Sequence, residues 1–137
     1  MSIQRLYEQY QKDVQFLSIY IREAHPIDGW WLGRRLTRGV ISKRFPKVSM
    51  DHYDPKTIEE RQAVAAESQA ALQYSVPTYV DGINDVVNNA YATWPTRLYL
   101  VGVDGRVVFA SKLGPLYSRP AKLKAAIEKY LRQNSLI

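Results

Sequence analysis

Hydrophobic and polar positions alternate along this chain between helical spacing and short branched runs. Ser2 to Asp13 reads as an amphipathic helix: Ile3, Leu6, Tyr7 and Tyr10 share one face, and Gln4, Arg5, Glu8 and Gln11 take the other. Val14 to Ile21 is a run of branched and aromatic residues that predicts a short buried strand. From Pro26 to Asp54 the period is lost among glycines, prolines and cations, which predicts a long loop; Leu32 to Ile41 is its one helical stretch, weakened by Gly33 and Gly39. The next helix has two candidate starts. Asp54-Pro55 places a cap before a proline at the first helical position, and Thr57 with Glu60 offers a capping box one turn later. It runs to about Tyr74, and Gln62 to Gln73, with one acid and no base, is expected to lie partly against a sheet.

Val76 to Val80 then predicts a strand, and Gly82 with Asn84 a turn. Asp85 to Ala92 reads as a short helix with Val86, Val87 and Ala90 inward. Arg97 to Val103 is the clearest strand in the chain. Asp104-Gly105 signals a hairpin turn, and Arg106 to Ala110 returns as its partner. A last helix, from about Pro120 to Arg132, carries Leu123, Ile127, Tyr130 and Leu131 on its apolar face. The order helix, strand, helix, strand, short helix, hairpin, helix places the chain in the α/β class.

With 137 residues the chain is long enough for one domain, residues 1–137, with a moderate core. No apolar run approaches a membrane span, and the first residues are polar rather than a secretory signal. The net charge of +6 is local: Arg34, Arg35, Arg38, Lys43, Arg44 and Lys47 account for it, and the remaining bases equal the thirteen acids. These cations fall in a basic loop insertion at about residues 31–53. Beside Trp30 and Trp31 they raise the question of a nucleic-acid patch. No nucleic-acid motif accompanies them, so a solvated loop that attracts anions is the better reading. Neither His25 nor His52 has a partner at metal-ligand spacing, which predicts no metal.

Candidate chemistry gathers at the carboxyl end of the first strand. Open α/β sheets bind their ligands there. Glu23 and His25 are two residues apart, so in extended chain they share a face, and an imidazole oriented by a carboxylate is a common proton-handling pair. For an isolated Glu-x-His, water-facing strand ends are the better reading. Tyr20 reads equally well as a hydroxyl in the same network and as a core aromatic.

The surrounding residues change the balance. Tyr20-Ile21-Arg22-Glu23-Ala24-His25-Pro26-Ile27-Asp28-Gly29-Trp30 resembles the hallmark of the iodothyronine deiodinases. Three further blocks agree in order: Asp54 to Arg61, Asp81-Gly82-Ile83-Asn84-Asp85 through Asn89-Ala90-Tyr91, and Arg97-Leu98-Tyr99-Leu100 followed by Gly114-Pro115. The resemblance implies a thioredoxin-like fold, three-layered about a central mixed sheet. It also implies removal of iodine from small iodinated aromatics by a selenocysteine, with an external thiol reductant and no cofactor. In its terms His25 is the proton donor or a substrate contact, Glu23 orients it, and Tyr20 adds a hydroxyl. Pro95, in Trp94-Pro95-Thr96, resembles the proline of that fold which is often cis and faces the nucleophile. On the substrate side Lys112 lies one step from the place of the family's basic residue, where Leu113 stands. His52 lies three residues before the place of the family's other histidine and reads as a loop residue. A bacterial, cytoplasmic protein is expected, without membrane or nucleic-acid partners.

One departure is large. The chain has no cysteine and no selenocysteine, so it carries no selenol or thiol of its own. The family's nucleophile precedes the segment that here begins at Met1. The expectation is therefore a downstream part of a longer protein, lacking its first strand and inactive alone, whose selenocysteine codon was read as a stop. Sequencing upstream in frame tests this. A missing central strand leaves unpaired backbone, which predicts aggregation or a homodimer. The competing reading is a non-catalytic thioredoxin-like module that binds a partner.

Overall fold

A computed structural model describes residues 2–24, 26, 52–114 and 118–134. Its elements are α1 (Ile3–Tyr10), β1 (Ser18–Tyr20), α2 (Ile58–Leu72), β2 (Thr78–Val80), α3 (Val86–Tyr91), β3 (Tyr99–Val101), β4 (Val107–Ala110) and α4 (Pro120–Gln133). The architecture is mixed α/β with two two-stranded sheets, β1–β2 and β3–β4. In the first, Ser18 N–H donates to Pro77 O at 2.8 Å and Asp81 N–H donates to Tyr20 O at 2.8 Å. The bonds advance in the same sense along both strands, the parallel pattern. Most of the basic loop insertion, including the short helix expected at Leu32 to Ile41, lies outside the described residues. Among the described residues no helix is long and apolar enough to cross a membrane.

The chain forms two compact units. One comprises Met1–Ser18, Ser75–Pro77 and Tyr91–Ile137, and the other Ile19–Tyr74 and Thr78–Ala90. The first is built on the apolar faces of α1 and α4. Leu6, Tyr10, Leu100, Leu123, Ile127 and Leu131 make its buried cluster, and Ile3, Phe16, Phe109 and Tyr130 pack around it. The helical spacing read from the sequence is thus the spacing that is buried. Ser2 caps α1 through its side chain, and Pro120 opens α4. The Tyr10 hydroxyl donates to Glu128 Oε1 at 2.8 Å, and Lys124 pairs with the same carboxylate, tying α1 to α4.

The β-hairpin forms where expected but with shorter strands. Tyr99 pairs with Ala110 and Leu100 with Phe109, and the register then shifts so that Val101 faces Val107. That irregularity ends the ladder before Val103. Gly105 supplies the positive φ of 79° that the turn requires. The Tyr130 hydroxyl accepts Val103 N–H at 2.9 Å and fixes the turn to α4. The first strand is shorter too, because the chain is still in the turn that follows α1 when it reaches Val14: the N–H groups of Asp13 and Val14 both donate to Tyr10 O.

In the second unit the capping box decides between the two helix starts. The Thr57 side chain accepts Glu60 N–H, and Glu60 Oε2 accepts the N–H groups of Thr57 and Lys56, so α2 begins at Ile58. Its buried positions are Arg61, Val64 and Ala65, and it packs against β2. α3 departs from expectation. Val86 is 58% exposed, Ala90 is exposed and Val87 only partly covered, whereas Asn88 is buried. The cause is Asp81, whose carboxylate accepts the N–H groups of Val87 at 3.1 Å and Asn88 at 2.9 Å. That capping turns the polar side of the short helix inward.

Candidate active site

The carboxyl end of β1 carries Tyr20 and Glu23, both in the second unit. Tyr20 donates to Glu23 Oε2 at 2.6 Å, a short charge-assisted bond. Ala24 N–H donates to Glu23 Oε1 at 3.0 Å, so both carboxylate oxygens are engaged. Burial pushes the Tyr20 hydroxyl well above its ordinary range. The hydrogen bond to Glu23 and the charge of that carboxylate add to the rise, while the Arg61 charge and a Ser68 hydroxyl oppose it. Tyr20 is therefore a neutral hydroxyl at any physiological pH, able to donate but not to act as a base. His25 lies outside the described residues.

This environment makes an expected result. A tyrosine whose folded-state pKa is raised contributes stability that is intact below its unfolded value near 10 and lost as pH rises beyond it. Tyr20→Phe is expected to flatten the alkaline fall in stability by about 1 kcal/mol at pH 11. Urea unfolding at pH 7, 9 and 11 measures this, and equal slopes for both proteins would remove Tyr20 from the alkaline response.

Arg61 underlies this end of the sheet. It is 3% exposed, and its Nη1 donates to Gly82 O at 2.6 Å, Asp85 Oδ1 at 2.9 Å and Asp81 O at 3.3 Å. Its Nε is buried, without a hydrogen-bond partner among the described residues. Asp85 adopts a positive φ of 55° as the chain turns into α3. The helical period explains why Arg61 faces inward: with Val64, Ala65 and Ser68 it completes one i, i+3, i+4, i+7 face. That face was present in the sequence as a signal. Arg61 is nonetheless a residue that sequence reasoning missed, because a charged side chain at the start of a helix is ordinarily solvated. Asp81 and Asp85 were read only as parts of a turn.

The residues expected on the substrate side belong to the first unit. The Trp94–Pro95 peptide bond is cis, the form suggested by its position before the hairpin. Trp94 is 38% exposed and Lys112 is also exposed. The chain around Lys112 runs beside the Pro95 segment: Ser111 N–H donates to Leu98 O and Gly114 N–H to Thr96 O, each at 2.8 Å. Ser111 is buried, and its hydroxyl accepts Leu98 N–H at 3.0 Å and donates to Lys112 O at 2.8 Å. Arg97 Nε donates to Ser111 O at 2.8 Å, and its guanidinium lies 5.2 Å from the centre of the Tyr99 ring. Tyr99 in turn donates to Tyr91 O. Trp94, Pro95 and Lys112 thus occupy neighbouring, firmly bonded segments. His52 belongs to the second unit, with its Nε2 3.3 Å from Glu67 Oε2.

Comparison with known proteins bears on what this arrangement serves. The sequence model of the family described as iodothyronine deiodinase matches residues 1–131. The chain is similar to thyroxine 5-deiodinase of Rattus norvegicus, at 30% identity over 135 residues that cover 96% of this chain and 38% of the relative. It is similar to thyroxine 5-deiodinase of Sparus aurata at 32% over 136 residues, covering 99% of this chain and 45% of the relative. Type I iodothyronine deiodinase of Xenopus laevis is 28% identical over 125 residues, covering 91% and 43%. The chain therefore spans less than half the length of these relatives. A match of the family's sequence model over nearly the full length places it: this chain belongs to the iodothyronine deiodinase family.

Proposed function

We propose that these residues form the proton-handling and substrate-side part of a selenol- or thiol-dependent reductive deiodinase. A nucleophile from outside the 137 residues takes iodine from an aromatic carbon, and that carbon receives a proton. A cellular thiol then releases iodide from the chalcogen, and a second thiol restores it. The balance is one aryl iodide and two thiols giving one arene, one disulfide and hydrogen iodide. His25 delivers the proton, Glu23 orients it, and Tyr20 holds Glu23 by its hydroxyl. Trp94, Pro95 and Lys112 border the substrate. The related reaction of a thiol with a peroxide uses the same parts.

The observation that carries this reading is the Tyr20–Glu23 bond of 2.6 Å, within the stretch that resembles the family hallmark and inside the residues that the family model matches. The finer fold belongs to the same proposal. It is a thioredoxin-like, three-layer arrangement whose central mixed sheet is completed by a strand from outside these residues, and it works in the cytoplasm. The parallel β1–β2 pair and the antiparallel β3–β4 pair supply the two strand senses that a mixed sheet needs.

The test is iodide release from thyroxine and from a simple iodophenol, with dithiothreitol as reductant. The 137-residue chain is compared with a product extended upstream in the same reading frame. Release is expected from the extended product when it carries selenocysteine or cysteine, and none above buffer from the shorter chain. An extended product that bears the nucleophile but releases no iodide from either substrate would overturn the reaction. The absence of any cysteine in the chain favours a second reading, a partner-binding module without catalysis. An upstream frame without a chalcogen codon would support it.

A further inference from the structure

We propose that Arg61 is a positioning residue for the Tyr20–Glu23 pair; the assignment rests on reading that pair as the proton-handling site. Three links carry it, all within the second unit. Arg61 Nη1 binds both carbonyls of the chain leaving β2, Asp81 O and Gly82 O, together with the Asp85 carboxylate. Asp81 N–H then donates to Tyr20 O at 2.8 Å, joining that turn to the residue whose hydroxyl holds Glu23. The Asp81 carboxylate, itself 3% exposed, binds the first N–H groups of α3 and keeps the turn from swinging away. One buried guanidinium therefore fixes the backbone from which Tyr20 reaches Glu23.

Two further observations point the same way. Among the described residues the buried Arg61 Nε has no hydrogen-bond partner, a cost that a purely stabilising role does not explain. Its charge also acts on the Tyr20 hydroxyl, against the rise that burial and Glu23 impose. A lysine keeps the charge but ends on a shorter, differently angled stem, so its ammonium does not take the place of Nη1 among the three acceptors.

The experiment uses the full chain with ring-labelled tyrosine. The Tyr20 hydroxyl proton is observed by NMR and identified by its loss in Tyr20→Phe. Exchange of the Asp81 and Asn88 amides is followed in parallel. Arg61→Lys and Arg61→Met are both expected to speed exchange of the Tyr20 hydroxyl and the Asp81 amide at least tenfold. Val64→Ala, which hollows the same helix face, is expected to leave the hydroxyl signal in place. If Arg61→Met does not fold, Arg61→Lys alone decides. A Tyr20 hydroxyl that stays unchanged in a folded Arg61 variant overturns the proposal, since Arg61 then serves only the turn. No readout involves turnover, so absent iodide release bears on the proposed reaction alone.

Discussion

Replacing His25 by alanine is expected to lower kcat by roughly 10²–10⁴ in a product that carries the chalcogen nucleophile, with little change in KM. The size follows from the step assigned to it. An aryl carbon that loses iodine must gain a proton in the same event, and water at neutral pH is a poor donor. In the proposed reaction the His25 imidazole supplies that proton, histidine being the side chain most suited to proton transfer at physiological pH. Glu23 is held on both oxygens, by Tyr20 and by Ala24 N–H, so it is a fixed carboxylate two residues from His25 in the sequence. Glu23→Gln keeps the acceptor for Tyr20 but loses the charge that stabilises an imidazolium, and a smaller loss of kcat is expected. Steady-state kinetics with iodide detection measures both. A His25→Ala enzyme within threefold of the parent would remove His25 from the mechanism.

Leu6→Ala is expected to cost about 3–4 kcal/mol in the first unit, near the middle of the range for a fully buried leucine. Leu6 is 0% exposed and sits in one cluster with Ile127 and Leu131 of α4. α1 has only eight residues, too few for a stable helix in isolation, so this burial and the Tyr10–Glu128 bond hold it in place. Substitution leaves a void that neighbours on two helices cannot close without losing their own contacts. Urea unfolding gives the loss, and hydrogen exchange is expected to show the α1 amides opening first. A change below about 1 kcal/mol would mean that the site collapses freely.

What the sequence made legible follows from where the physics is local. The apolar faces of α1 and α4 repeat every three to four residues, and Leu6, Leu123, Ile127 and Leu131 are buried accordingly. Gly105 declared the hairpin turn because few other residues adopt its φ. The motif around Tyr20 and Glu23 was legible as a resemblance, whereas their contact was not: positions three apart in a strand face opposite sides, and the two meet because the strand ends at Tyr20.

Other features depend on contacts between distant residues. The inward turn of Asn88 depends on a carboxylate at Asp81, outside the helix it caps. Arg61 is buried only because three acceptors from residues 81 to 85 converge on it. The premature end of β3 comes from a register shift that no residue in Arg97 to Val103 announces.

The bonding of Ser111 has a consequence for recognition. Its backbone and hydroxyl serve Leu98, Arg97 and Lys112 O, leaving the side chains of Lys112 and Leu113 on the outside. Both positions are thus free to vary in size and charge while the ladder beneath them stays intact. Exchanging these two neighbouring side chains is therefore expected to leave the scaffold as it was.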